Sequence, residues 1–88
     1  MKKIWDEEAW DDYLYWQAQD KKTLRRVNQL IKDIERSPYE GIGKPEQLKH
    51  DLQGFWSRRI DETNRLIYRI IDDERLEIYQ CRSHYDAG

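Results

Sequence analysis

The chain has 88 residues, 39% of them charged, with one cysteine and a net charge of −2. A length of this order builds a single domain, residues 1–88, that buries only roughly 60–65% of its unfolded surface, so modest stability is expected. One cysteine excludes an internal disulfide and fits a reducing cytoplasm, and no apolar run has the length of a secretion signal or a membrane span, so neither export nor a membrane is expected.

Ile4 and Trp5 predict a short opening strand. Asp6 follows as an N-cap, with Glu7 and Glu8 in the first helical turn, where the helix dipole favours acids. Ala9, Tyr13 and Trp16, with Trp10 and Leu14 beside them, form an apolar helical face that runs up to Asp20. Asp20 is placed to cap a second helix, whose Leu24, Val27, Leu30, Ile31 and Ile34 recur at three- and four-residue spacing. Ser37-Pro38 ends that helix, because the residue before a proline is pushed out of helical space. Residues 39–46 then form a loop rich in Gly and Pro, either shaped around a ligand or a plain connector. Gly41-x-Gly43-Lys44 lacks the spacing and the following helix of a phosphate-binding loop.

From residue 47 the pattern becomes that of strands. Residues 55–61 and 65–71 flank Glu62-Thr63-Asn64 as the arms of a hairpin. If residues 59 and 67 pair, strand alternation sends Trp56, Ile60, Leu66, Tyr68 and Ile70 to the face covered by the helices. Ser57, Arg59, Asp61, Arg65, Ile67 and Arg69 fall on the opposite face, which reads as a site. Arg58 breaks the pattern on the core side, with its stem expected to pack and its head to escape to the edge. In the last strand, from Arg75 to about His84, the apolar positions change parity between Leu76 and Ile78 and then Tyr79 and Cys81. A bulge near Ile78-Tyr79 reconciles them and turns Cys81 into the core, as a small buried apolar residue, with Arg82 and His84 beside Arg59 and Arg65. The fold class is α+β: an N-terminal helical hairpin packed on one face of a small, mainly antiparallel twisted sheet.

The charge is unevenly spread. Residues 1–20 sum to −4, residues 21–60 carry ten Lys and Arg against five acids, and residues 61–88 sum to −3. A basic middle in an acidic chain suits a local anion site. The expected site combines a carboxylate, guanidinium groups and an imidazole, a set fitted to proton transfer around a phosphate. RNA can be cut with such a set and no metal, because its own 2′-hydroxyl is the nucleophile. Glu46 is the candidate base and His84 the candidate acid. Arg65 and Arg59 offer fork-shaped donors that match phosphoryl oxygens, Lys49 adds a point charge, and Tyr85 can orient the phosphate or stack a base. No spacing of Cys and His forms a zinc site, and no cofactor is called for.

Several strings are distinctive: Trp10-Asp-Asp-Tyr-Leu-Tyr-Trp16, Gly43-Lys-Pro-Glu46, Leu48-Lys-His50, Gly54-Phe-Trp-Ser-Arg-Arg-Ile60, Arg65-Leu66 and Cys81-Arg82-x-His84-Tyr85. Through them the chain closely resembles the YoeB toxins of the RelE/ParE superfamily, from residue 1 to residue 85. The resemblance implies a RelE-like fold and a ribosome-dependent mRNA endonuclease acting in the ribosomal A site, as the toxin of a toxin–antitoxin pair. It implies neutralisation by a YefM-like antitoxin, self-pairing into a homodimer, and contact with operator DNA only through that antitoxin. It assigns Glu46 as general base, Arg65 as transition-state stabiliser, His84 as general acid and Tyr85 as an active-site tyrosine, with Lys49 and Arg59 at supporting phosphate positions and no metal. Two features depart from the family pattern: Asp86-Ala87-Gly88 follow the tyrosine at which its chains commonly stop, and the last strand is one residue longer before Cys81. The rival readings are a ParE-like toxin that inhibits gyrase by binding, and a module that only binds an antitoxin.

Overall fold

The computed structural model describes residues 1–83. Its elements run β1 (Lys2–Trp5), α1 (Glu7–Gln19), α2 (Lys21–Arg36), β2 (Glu46–Gln47), a 3-10 turn (His50–Leu52), β3 (Trp56–Arg59), β4 (Arg65–Ile71) and β5 (Arg75–Gln80). The sheet order is β1-β5-β4-β3-β2, with β1 parallel to β5 and every other pair antiparallel. The α+β architecture is therefore as expected, with the helical hairpin laid across one face. Among the described residues no helix is long and apolar enough to cross a membrane.

Asp20 caps α2 as its position predicts: its carboxylate accepts from Thr23 N (3.1 Å) and Thr23 Oγ1 (2.8 Å). Asp6 occupies the cap of α1 but makes no side-chain cap bond. Its carboxyl interacts with Glu77 on β5 instead. Val27, Leu30, Ile31 and Ile34 of α2 are buried against Leu66, Tyr68, Leu76, Ile78 and Cys81 of the sheet, with Ala9 and Trp16 from α1. Each fully buried Leu or Ile contributes on the order of 1.5–3 kcal/mol, so the α2 stripe is what fastens the hairpin down. Trp16 Nε1 donates to Cys81 O (2.8 Å), which satisfies the one polar group that this ring brings inside. Cys81 is fully buried, and burial together with the nearby charge of Asp12 pushes its thiol up to about 12.

Three expectations are adjusted. Arg59 pairs with Arg65 and Ser57 with Ile67, a register two residues from the predicted one. The cause is a tighter turn, in which Ile60 N donates to Asn64 O (2.9 Å) and the Asp61 carboxylate accepts from Thr63 N (2.8 Å) and Asn64 N (2.6 Å). A shift of two keeps parity, so every side chain stays on its predicted face. The strand expected from residue 47 is cut to two residues, because His50 adopts a left-handed φ of 58° and turns the chain into the 3-10 turn. Arg58 does not escape to the edge; it is wholly buried and hydrogen-bonded throughout. The bulge stands where parity placed it: Ile67 pairs with Gln80 and Tyr68 with Ile78, leaving Tyr79 as the extra residue.

Candidate functional site

The site begins with the buried Arg58. Its Nη1 donates to Asp33 Oδ2 (2.5 Å) and Ile42 O (3.1 Å), its Nη2 to Ser37 O (2.7 Å) and Glu40 O (3.0 Å), and its Nε to Tyr68 Oη (3.2 Å). Tyr68 Oη in turn donates to Pro38 O (2.6 Å). One guanidinium thus binds the loop after α2 to the sheet by donating to the carbonyls of Ser37, Glu40 and Ile42, with Tyr68 serving Pro38. Asp33 also accepts from Arg36 and from Ile42 N (3.0 Å). The hydrogen bonds from Arg36 and Arg58 hold its carboxyl well below the usual range. Gly41, at φ 127°, lies so close that a Cβ there would run into the Asp33 carboxylate. The loop leaves this clamp through Gly43, whose carbonyl accepts from Arg59 N (2.7 Å), and delivers Glu46 to its place opposite Ser57.

Glu46, Lys49, His50, Ser57 and Arg65 line one cleft of about 390 Å³. Glu46 and Lys49 are exposed, and they share the cleft because the chain leaves strand geometry just after Gln47. Two residues three apart on a regular strand would face opposite ways. Arg65 is half-buried, and its Nη1 donates to the carbonyls of Asp61 (3.0 Å) and Asn64 (3.3 Å). Two backbone carbonyls therefore orient the guanidinium without neutralising it. The Asp61 carboxylate is occupied by its own turn. Burial pushes its pKa up, but the hydrogen bonds from Asn64 and Thr63 and the charge of Arg65 outweigh this and lower it. Arg59 is the exposed cross-strand partner of Arg65, on the same face of the sheet. What this arrangement offers chemically is a carboxylate and an ammonium beside a guanidinium whose Nε and Nη2 make no hydrogen bond among the described residues.

Of the expected site residues, the fold brings Glu46, Lys49 and Arg65 into one cleft and sets Arg59 beside them. Arg82 is elsewhere: its guanidinium lies over the Tyr15 ring of α1 (3.4 Å to the centroid), so it does not join Arg59 and Arg65 as the strand parity predicted. The backbone explains this, because β5 ends at Gln80 and Ser83 takes a left-handed φ of 65°. Arg65 N donates to Ser83 O (3.0 Å) and Ser83 N to Asn64 Oδ1 (2.5 Å), which anchors the described end of the chain beside the cleft. His84 and Tyr85 lie outside the described residues. His50, part of the distinctive Leu48-Lys-His50 string but given no role from the sequence, also lines the cleft, next to Lys49 and four residues from Glu46.

Over residues 5–85 the sequence matches the YoeB-like toxins of bacterial type II toxin–antitoxin systems. It is 61% identical over 85 residues to the toxin YoeB of Escherichia coli (strain K12), which covers 97% of this chain and 100% of that one. Two solved structures from Staphylococcus aureus are similar in fold, each covering 97% of this chain and 98% of its own. The toxin in a heterotetrameric YoeB–YefM toxin–antitoxin complex gives a TM-score of 0.89 at 42% identity. A YoeB dimer gives 0.89 at 43%.

Proposed function

Because the chain belongs to the YoeB-like toxins of bacterial type II toxin–antitoxin systems, we propose that it is a ribosome-dependent endoribonuclease that halts translation by cutting mRNA in the ribosomal A site. The observation that carries this reading is the meeting of Glu46, Lys49 and Arg65 in one cleft, with Arg59 across the strand pair. Glu46 takes the proton of the substrate's 2′-hydroxyl, and the oxygen attacks the adjacent phosphorus. Arg65, with Lys49 and Arg59, holds the charge that builds on the phosphoryl oxygens. As the bond from phosphorus to the 5′-oxygen breaks, His84 supplies the leaving oxygen with a proton, and Tyr85 orients the phosphate. The products are a 2′,3′-cyclic phosphate and a free 5′-hydroxyl. The nucleophile belongs to the substrate, so no metal is required to generate one.

Glu46 and Lys49 are exposed, so little of the alignment is built into the protein itself. A ribosome that holds the mRNA in line supplies the missing positioning. By analogy with the S. aureus complexes, the chain pairs with itself and is neutralised in the cytoplasm by a YefM-like antitoxin, through which alone it reaches operator DNA.

Primer extension on mRNA in programmed ribosomes tests the reading, with wild type compared against Glu46→Ala, Arg65→Ala and His84→Ala. Cuts at the A-site codon that disappear in the variants are expected. Intact mRNA with wild-type protein that remains toxic in cells would favour a toxin acting by binding.

A further inference from the structure

Beside the Glu46–Arg65 cleft, with residues Gln47 to His50 as their common wall, lies a second cleft of about 530 Å³. Its size falls within the roughly 300–1,000 Å³ of small-ligand sites. The loop between β2 and β3 encloses it and is closed by its own hydrogen bonds: Leu48 N to Phe55 O (3.0 Å), Gln53 N to His50 O (3.0 Å) and Phe55 N to Leu52 O (3.0 Å). Among the described residues the lining brings together two cationic or ionisable residues (Lys49, His50), two with amide side chains (Gln47, Gln53) and two aromatics (Phe55 and Trp56, the latter also packed against the core), with no carboxylate. The cleft at the β4–β5 turn differs, with four carboxylates (Glu35, Asp72, Asp73, Glu74) in its lining against Lys2 and Arg75. The rings are fixed in advance. Phe55 is held by the Arg69 guanidinium (4.6 Å to its centroid) and by Tyr79 (5.2 Å), and Trp56 by Tyr39 (4.8 Å).

A phosphate by itself needs only cations. Amides placed among aromatic rings are the groups that recognise an unstacked base, since Gln presents a donor and an acceptor together and a ring covers the apolar face. We propose that this second cleft receives the base of a nucleotide adjoining the scissile phosphate, with Gln47 and Gln53 reading its edge and His50 standing between base and phosphate. The inference rests on the ribonuclease reading above and adds the element that sets sequence preference.

RNAs that differ only in the nucleotide on either side of the cut are offered on programmed ribosomes to wild type and Gln53→Ala. The ratio of rates between the best and the worst base is expected to fall by roughly tenfold in the variant. An unchanged ratio, whether or not all rates fall together, would overturn the base subsite. An NMR titration of the full-length Glu46→Gln protein with a short single-stranded oligoribonucleotide is independent of turnover. Shifts are expected in residues 47–56, including the Gln47 and Gln53 side-chain amides, and weaker ones in Glu46→Gln/Gln53→Ala. If wild type cuts nothing, the ribonuclease reading fails, yet shifts confined to residues 47–56 would still sustain a base-binding cleft. Shifts only elsewhere, or none, would remove it.

Discussion

Arg59 and Arg65 stand directly opposite each other across β3 and β4. Like charges in a cross-strand pair are destabilising, by roughly 0.2–1 kcal/mol, and among the described residues neither guanidinium is in an ion pair with a carboxylate. A bound phosphate would relieve the repulsion, so the pair sacrifices some stability for affinity. Arg59→Thr is expected to raise the thermal midpoint by a few degrees in low salt and to weaken mRNA cleavage. Added sulfate should stabilise wild type more than the variant. Scanning calorimetry with and without sulfate checks this; equal sulfate responses would show that the pair is not an anion site.

Arg58 makes the opposite trade. Arg58→Met leaves the carbonyls of Ser37, Glu40 and Ile42 without this donor and takes from the Asp33 carboxylate its buried cation, leaving it Arg36 and Ile42 N, and is expected to remove roughly 3–5 kcal/mol of stability. Deleting the charge as well, in Arg58→Met/Asp33→Leu, should fail to restore it, because the three carbonyls stay orphaned. Gly41→Ala should resemble the single variant, since its Cβ meets Asp33 at a backbone φ that L residues rarely adopt. Urea unfolding measures all three. Full recovery in the double variant would reduce the role of Arg58 to its ion pair.

The difference between what was legible in the sequence and what was not follows the range of the interactions. Helix α2 was readable because its apolar spacing, the Asp20 cap and the Ser37-Pro38 stop agree locally. Alternation sorted the faces of β3 and β4 even with the register two residues out, because parity survives an even shift. The parity break in β5 located the bulge at Tyr79. Arg58 could not be read, since its partners are the carbonyls of an irregular loop, which no periodic pattern encodes. The end of β2 depends on one left-handed residue, His50, that carries no glycine signal. Arg82 follows from the position of a ring on α1. In the site, residue types gave the chemistry and the family resemblance gave the roles, whereas the sharing of one cleft by Glu46 and Lys49 required the coordinates.

The β4–β5 turn offers a test of local backbone preference. Asp72 and Asp73 both have positive φ, 57° and 60°, with Glu74 N donating to Ile71 O (3.2 Å). That is the pattern of a type I′ turn, whose second central position favours glycine. Asp73→Gly is expected to stabilise the fold by ~0.5–1 kcal/mol, with no effect on mRNA cleavage. The same change at Asp72 should gain less, because the Asp72 carboxylate is paired with Arg75. Equal or reversed effects in chemical denaturation would contradict this assignment.

Asp6 and Asp33 give stability an opposed dependence on pH. Burial, then the hydrogen bond and charge of Glu77, push the Asp6 carboxyl up from 3.8 to about 6, against the pull of Arg69. The native state therefore keeps a proton that the unfolded chain releases near 3.8. The stabilisation is complete below that value and is lost as pH rises through about 6. Asp33 behaves in the other sense: its hydrogen bonds with Arg36 and Arg58 lower its pKa, so its contribution is present above 3.8 and disappears as pH falls. Asp6→Asn keeps a donor toward Glu77 without the charge. It should leave stability near pH 3 almost unchanged, raise it progressively above 3.8 and raise it at pH 8 by roughly 1–2 kcal/mol, after allowance for solvent screening. Thermal midpoints of wild type and variant from pH 3 to 8 should therefore diverge on the alkaline side. Parallel curves would mean that Asp6 is ionised throughout and that Arg69 alone balances the Asp6–Glu77 pair.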